Sequence, residues 1–404
     1  MPHRLLSLLA LFAASVAAQD SGKPPEPAPA AALSRAKDLN GFAFDLHRAL
    51  REEGKNLVAS PWSVAEAFLF VRGCTTGDVR KEVDAAFRYS GAGDAADDGA
   101  ARLRALFEKS GAMRAANRMW LHSKVPAGYY REETVARLTN LHGEGVARLD
   151  FGEAEQARAA INGWVSERTA KLIPELLPPD VLGAAVRLVV TNAVHFKDAW
   201  KTPFDAKRTK EAPFRVSATE SVPTMLMSGR IACRFGNYGD ATVVEVPFGD
   251  GTFALFAALP PEATTLAALE DGLDAEKFAA WRKDLKDRDA LLVKLPRTKL
   301  ASDLKLHQRG LPELGLKRAF GMSTDWSPLV GADPLGIAYV GHQAVFEMNE
   351  QGAEAAAATV VVARAGSAAR PPQFVADRPF LFAIVHRATG AIVFLGRYVK
   401  PPAG

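Results

Sequence analysis

Apolar residues recur at helical spacing through the first third of this chain and in alternating or unbroken runs through the last third. In "ALSRAKDLNGFAFDLHRALREEG", Leu39, Phe42, Phe44, Leu46 and Leu50 mark the buried face of a helix. Ser60 and Pro61 open a second helix, "WSVAEAFLFVRG", with Ser60 as cap and Pro61 in the first turn. Helical patterns continue through "DVRKEVDAAF" and "DDGAARLRALFEKSG". Strands begin with "AANRMWLHS", and "INGWVSERTAKLIPELL" is an amphipathic helix. The long β-branched run "AAVRLVVTNAVHFKDAW" predicts a strand buried on both faces. Further strands follow in "ATVVEVPF" and "GTFALFAALP", joined by a turn at Gly249-Asp250-Gly251. "AEKFAAWRKDL" predicts a helix, "ALLVKLPRTKL" one strand, and "LKLHQRGLPELGL" a short helix. "PFLFAIVHRATGAIVFLGRYV" predicts a hairpin about Thr389-Gly390. With no internal repeat and no second long linker, this order predicts a single large α+β domain.

One segment disagrees with itself. In "EQGAEAAAATVVVARAG", Glu354 and the alanines from Ala355 to Ala358 favour helix, while Thr359 to Val362 favour strand. A sequence that specifies one structure usually agrees across levels. A segment suited to two states asks for a reason.

Composition changes the picture only at the margins. Among 404 residues, 48% are hydrophobic and 24% charged, enough for a large core. Fifty basic and 46 acidic side chains leave a formal charge of +4, which gives little argument for nucleic acid. His3 and Arg4 precede the apolar run "LLSLLALFAASV", and Val16, Ala17 and Ala18 are small. That is the pattern of a signal peptide over residues 1–18, implying a secreted, periplasmic or extracellular protein. Residues 19–33, rich in Pro and Ala, read as a linker, leaving 34–404 as the domain. No other apolar run is long enough to span a bilayer. The two cysteines, Cys74 and Cys233, lie far apart beside apolar neighbours and read as separate thiols rather than a bridge. Ala- and Arg-rich usage points to a GC-rich bacterial genome.

The chain carries no G-x-S-x-G, H-E-x-x-H or P-loop, and no Cys/His cluster at zinc spacing. His142 and Glu144 in "LHGEGV" have no companion ligand. On "GAARLRALFEKSG", Arg102, Arg104 and Lys109 are offset by Asp97, Asp98 and Glu108, which reads as a solvated face. The expectation is therefore no enzyme, no catalytic residues, no metal and no cofactor.

Several motifs together resemble the serpin family. "NEQGAEAAAATVV" resembles the hinge of the serpin reactive loop, E-E-G-T-E-A-A-A-A-T. "NLVASPWSV" resembles N-x-x-x-S-P-x-S-I, and "VTNAVHFKDAWKTPF" resembles N-A-x-Y-F-K-G-x-W-x-x-x-F. "HQAVFEMNEQG" and "FVADRPFLFAIVHRATGAIVFLGRYVKP" resemble the family's later signatures, and all five run in the family's order. The resemblance implies a five-stranded central sheet with further sheets, about nine helices and an exposed reactive loop near residues 350–373. It also implies an inhibitor, working as a monomer by suicide trapping. A target serine protease cleaves the loop, is acylated by it, and is dragged away as the loop enters the central sheet.

The resemblance assigns roles by position. Glu350, Gly352, Ala353, Glu354, Ala355, Ala356, Ala357, Ala358 and Thr359 match the hinge. Ser60, Ser63, Asn192 and His342 match the shutter region, where the sheet must part, and Trp200 matches the breach tryptophan. Ala353 stands where the family commonly has Thr or Ser. The residues fit an inserting strand, because Ala353, Ala355, Ala357, Thr359, Val361 and Ala363 form one small, uncharged face. Glu354 and Arg364 both fall on the other face. Counting from Glu350 puts the cut at Gly366-Ser367, and counting back from Arg378-Pro379 puts it at Ala365-Gly366. A small residue there suits an elastase-like or subtilisin-like protease. Arg364 and Arg370 are trypsin-like alternatives, and a cut at Arg364 would shorten the inserted segment. A non-inhibitory binding, storage or chaperone-like serpin, or an inhibitor of a cysteine protease, is the alternative reading.

Overall fold

The computed structural model describes residues 27–90, 95–142, 145–353 and 372–402. Its helices are α1 (Ala30–Leu50), α2 (Pro61–Cys74), α3 (Gly77–Ala86), α4 (Ala95–Glu108), α5 (Glu132–His142), α6 (Ala154–Arg168), α7 (Leu266–Asp271), α8 (Ala275–Asp284) and α9 (Ser327–Val330). The first eight strands are β1 (Leu57–Ala59), β2 (Met113–His122), β3 (Val146–Leu149), β4 (Leu188–Phe196), β5 (Asp198–Ala199), β6 (Lys210–Arg215), β7 (Ser221–Asn237) and β8 (Thr242–Pro247). The remainder are β9 (Phe253–Leu259), β10 (Lys286–Pro296), β11 (Thr298–Lys305), β12 (Val340–Met348), β13 (Gly352–Ala353), β14 (Gln373–Val375), β15 (Phe380–His386) and β16 (Ile392–Tyr398).

A five-stranded sheet runs in the order β11-β12-β4-β2-β3. A larger sheet runs β1-β16-β15-β9-β8-β7-β10-β14, with β6 paired to β7. The α+β class and the large central sheet expected from the sequence are both present, with nine α-helices among the described residues.

All nine residues of β4 are buried, as a strand covered on both faces must be. Alternation divides them. Leu188, Val190, Val194 and Phe196 enter the main core beneath α2, while Val189 and Ala193 pack toward α6. Val340, Ala344, Phe346 and Met348 of β12 share the face under α2. The residues that break this apolar pattern, Asn192 and His342, therefore sit in a core and need internal partners.

Four expectations are corrected. The helix read at 161–177 starts earlier, at Ala154, and stops at Arg168. Ala170 and Lys171 then take left-handed φ of 53° and 64°, and the Asn162 side chain ties down the backbone of Leu176 and Leu177. "ALLVKLPRTKL" is two strands, β10 and β11, in two different sheets, with Arg297 between them bonded through its N–H to the Met225 carbonyl. "LKLHQRGLPELGL" is a chain of turns beyond Lys305. Gly310 and Gly315 have φ of 99° and 91°, and the buried leucines are Leu306, Leu311 and Leu316, too widely spaced for one helix face. Finally, α1 begins at Ala30, inside the segment read as linker, because Ala30 to Ala32 continue its helical run behind Pro29.

Cys74 in α2 and Cys233 in β7 are both free and buried. Burial pushes each thiol up to about 12, so neither is a thiolate at neutral pH. Native protein treated with iodoacetamide should gain no label. The same protein in denaturant should gain two, read by intact mass.

Candidate functional site

Three adjacent strands carry one polar row across the central sheet. His342 on β12 lies opposite Asn192 on β4 in a parallel pair, and Asn192 lies opposite Asn117 on β2 in an antiparallel pair. The N-terminus of α2 rests on this row. Ser60 caps the helix, its Oγ accepting the Ser63 N–H at 3.2 Å, with Pro61 next as expected.

The hydrogen bonds fix the protonation of every member. The Ser60 N–H donates to His342 Nε2 at 2.9 Å, so the ring proton lies on Nδ1 and is donated to Asn192 Oδ1. Asn192 Nδ2 shares its two protons among the Ser63 carbonyl, Ser63 Oγ at 2.6 Å and Asn117 Oδ1 at 2.7 Å. Ser63 Oγ donates to Asn117 Oδ1 at 3.2 Å, and Ser60 Oγ donates to the Val393 carbonyl on β16 at 2.7 Å. The network thus joins two sheets and a helix. Burial drives the His342 pKa down to about 3. A proton on Nε2 would face the Ser60 N–H. Ser60, Ser63, Asn192 and His342 are brought together as the sequence implied. Asn117 was missed, although a lone Asn among the apolar residues of "AANRMWLHS" was a signal.

At the end of β12 the chain reverses over Asn349–Gly352. The N–H groups of Gln351 and Gly352 both donate to Asn349 Oδ1, at 3.0 and 3.2 Å. Gly352 and Ala353 then pair antiparallel with Ala199 and Asp198 of β5, the continuation of β4. Trp200 seals this corner. Its indole N–H donates to the Asn349 carbonyl and its backbone N–H to the Gln351 carbonyl, both at 2.8 Å. The ring stacks on Phe248 at 4.4 Å. Glu350 is buried at this corner, its carboxylate 3.7 Å from Arg297. Burial, with Asp250 nearby, raises Asp198 to about 6. Gly352 is required twice over. Its φ is 144°, and a Cβ there would lie 2.3 Å from the Asp198 carbonyl oxygen. The β5–β13 pair of two residues each had no sequence signal, being too short for periodicity.

Glu354, Ala355, Ala356, Ala357, Ala358 and Thr359, the reactive-bond candidates Arg364, Ala365, Gly366 and Ser367, Arg370, and the leader 1–18 lie outside the described residues. Among the described residues no three His, Cys, Asp or Glu side chains converge as a metal site would, and no helix is long and apolar enough to cross a membrane. Arg102 is paired with Asp98 at 2.8 Å and Arg104 with Glu66 at 2.8 Å, so those two α4 cations are engaged.

Two outcomes follow. His342 is neutral when folded and protonates near 6.5 when unfolded, so between about 6.5 and 3 the unfolded chain binds the extra proton. Its stabilisation is complete above 6.5 and lost as pH falls. The Tm advantage of wild type over His342→Gln should therefore shrink from pH 7.5 to 5, and a pH-independent difference would contradict a histidine held neutral in the fold. Gly352→Ala should release β13 from β5, seen as faster hydrogen exchange at the Trp200 N–H with the His342 network still protected.

Comparison with known proteins fits this geometry. The family model described as "Serpin (serine protease inhibitor)" matches residues 37–401. The leukocyte elastase inhibitor of Bos taurus is 34% identical over 373 residues, covering 89% of this chain and 97% of that one. Plasminogen activator inhibitor 2 of Homo sapiens is 36% identical over 283 residues, 67% of each chain. The structure of uncleaved ovalbumin superposes with a TM-score of 0.80 at 27% identity, covering 91% of this chain and 99% of that one. Maspin, at 20% identity and a TM-score of 0.81 over 92% of this chain and 100% of that one, shows the same fold. One expectation is corrected here: the bare expectation of no enzyme gives way to the positive activity for which the family and its relatives are named, protease inhibition, which the serpin resemblance had also implied. The chain belongs to the serpin family.

Proposed function

We propose that this serpin is an exported inhibitor of serine proteases that works by suicide trapping. The observation that carries the reading is the seam between β12 and β4. These strands are parallel neighbours, so their C-terminal ends lie together, and the loop leaves from that end. A strand folding back from β12 would run antiparallel to both, and would replace one parallel pairing by two antiparallel ones. Gly352 and Ala353 already pair in that sense with β5. The small face of Ala355, Ala357, Thr359, Val361 and Ala363 suits a strand placed over the buried face beneath α2.

In this reading the protease serine attacks the Gly366 carbonyl, the Gly366-Ser367 bond breaks, and Ser367 leaves as a free amine. The acyl bond then keeps the protease attached while the loop enters the seam. Small residues at the cut suit an elastase-like or subtilisin-like target, in keeping with the name of the bovine relative. Arg364 would admit a trypsin-like enzyme. Export rests on the His3–Ala18 pattern, and a mature N-terminus beginning after Ala18 would support it.

The test is to mix the mature protein with an elastase-like, a subtilisin-like and a trypsin-like protease. The expected result is an adduct that survives denaturing gels, with a cut at Gly366-Ser367 by mass spectrometry. Cleavage without adduct from all three would overturn trapping of these enzymes. Thr359→Arg places a charge on the inserting face. It should leave cleavage intact, abolish the adduct, and remove the large rise in Tm that cleavage gives the wild type.

A further inference from the structure

We propose that the basic cleft beside the C-terminal root of the reactive loop is a docking surface for an acidic patch on the target protease. The inference rests on the inhibitory reading above and names a second contact. The cleft, about 330 Å³, lies over β6, β7 and β10 and is lined by Lys207, Arg208, Lys210 and Lys294 above Leu226 and Ser228. Among the described residues no carboxylate lines it.

Register puts Lys210 and Lys294 on one face, and Lys207 and Arg208 reach the cleft from the turn before β6. Lys210 lies opposite Leu226, and Lys294 opposite Ser228. Arg230, two residues beyond Ser228, extends the same face and is exposed. The core side is taken by Met227, Ile231, Val293 and Leu295, which are all buried. Among the described residues Lys207, Lys210, Arg230 and Lys294 form no ion pair, and Arg208 reaches only Asp205, at 3.8 Å. Glu211, the nearest acid along β6, is exposed beside Lys210 but does not line the cleft.

Position makes the patch relevant. The chain returning from the cleavage region re-enters the fold as β14, which pairs parallel with β10 and sets Val375 beside Lys294. The Ala376 N–H bonds the Lys294 carbonyl at 3.0 Å. A protease seated on the loop is thus held next to the patch. The whole chain carries 50 basic and 46 acidic side chains, so this concentration reflects placement rather than a basic protein. Like-signed charges without counterions, rimming a cleft at an encounter site, steer an oppositely charged partner and raise its association rate.

The test uses one subtilisin-like protease in two chemically modified forms. Succinylation converts its surface lysines to carboxylates, and acetylation only neutralises them. Wild type should associate about tenfold faster with the succinylated form at about 0.1 M salt, and the gap should close near 1 M, where screening is strong. In Lys207→Ala/Lys210→Ala/Lys294→Ala, with Tm checked, the preference should vanish while the fraction of protease trapped is unchanged. The charge-reversed Lys207→Glu/Lys210→Glu/Lys294→Glu should prefer the acetylated form. Equal wild-type rates for the two forms, or a preference surviving in the triple variant, would overturn the docking surface. If loop cleavage occurs without an adduct, kcat/KM for cleavage reads the same preference, so failure of trapping and failure of docking remain distinct.

Discussion

The closed seam between β12 and β4 is the constraint on which the rest of this structure depends. Both strands are buried within the sheet, and the apolar side chains beneath α2 would hold them together in almost any register. What pins the register is polar. His342 and Asn192 face each other across the seam, and each is satisfied only in this arrangement. Apolar packing loosens by degrees, but a buried hydrogen-bond network is either complete or costly, at about 1–3 kcal/mol for each group left unsatisfied. The seam is therefore built to be shut or open, with little in between. Helix α2 shares this fate, because the N–H of its cap residue, Ser60, is the partner of His342.

The other end of the seam is arranged differently. There the chain leaving β12 has turned back and laid Gly352 and Ala353 against β5. Trp200 holds that turn through two backbone carbonyls while stacking on Phe248. A strand entering the seam would extend this pairing toward His342 and meet the polar row on the way. On the proposed reading, turn and row would mark a start and a checkpoint along one path, and on the face beneath α2 the distance between them is spanned by Val194, Phe196, Ala344 and Phe346.

Much of this was legible in the sequence because burial leaves a period. The run at β4, the hairpin of β15 and β16, and the capped start of α2 each follow from local pattern. The polar row was legible only through the motifs that carry it, since nothing in the spacing of Ser60, Asn192 and His342 says that they meet. One misreading has its cause in the backbone. Leu306, Leu311 and Leu316 are apolar and buried, but glycines of left-handed φ, not helix geometry, bring them inward. Pattern likewise showed extended chain through β10 and β11, read as one strand, without showing that Arg297 hands the chain from one sheet to another.

The remaining conflict lies at residues 354–363, where alanines that favour helix run into β-branched residues that favour strand. Consistency across levels is the rule for a chain with one destination. In the trapping reading the sheet would supply the second destination: a seam between two parallel strands, with the first antiparallel residues in place at its edge. A segment that strongly preferred strand would press on that seam throughout the life of the protein. One that strongly preferred helix would have no reason to enter. An ambivalent segment leaves the decision to the polar row and to the length of free chain, and cutting the chain changes the second of these. In the trapping reading proposed above, the sequence ambiguity and the buried histidine would be two parts of one barrier, the first weakening the pull and the second holding the door.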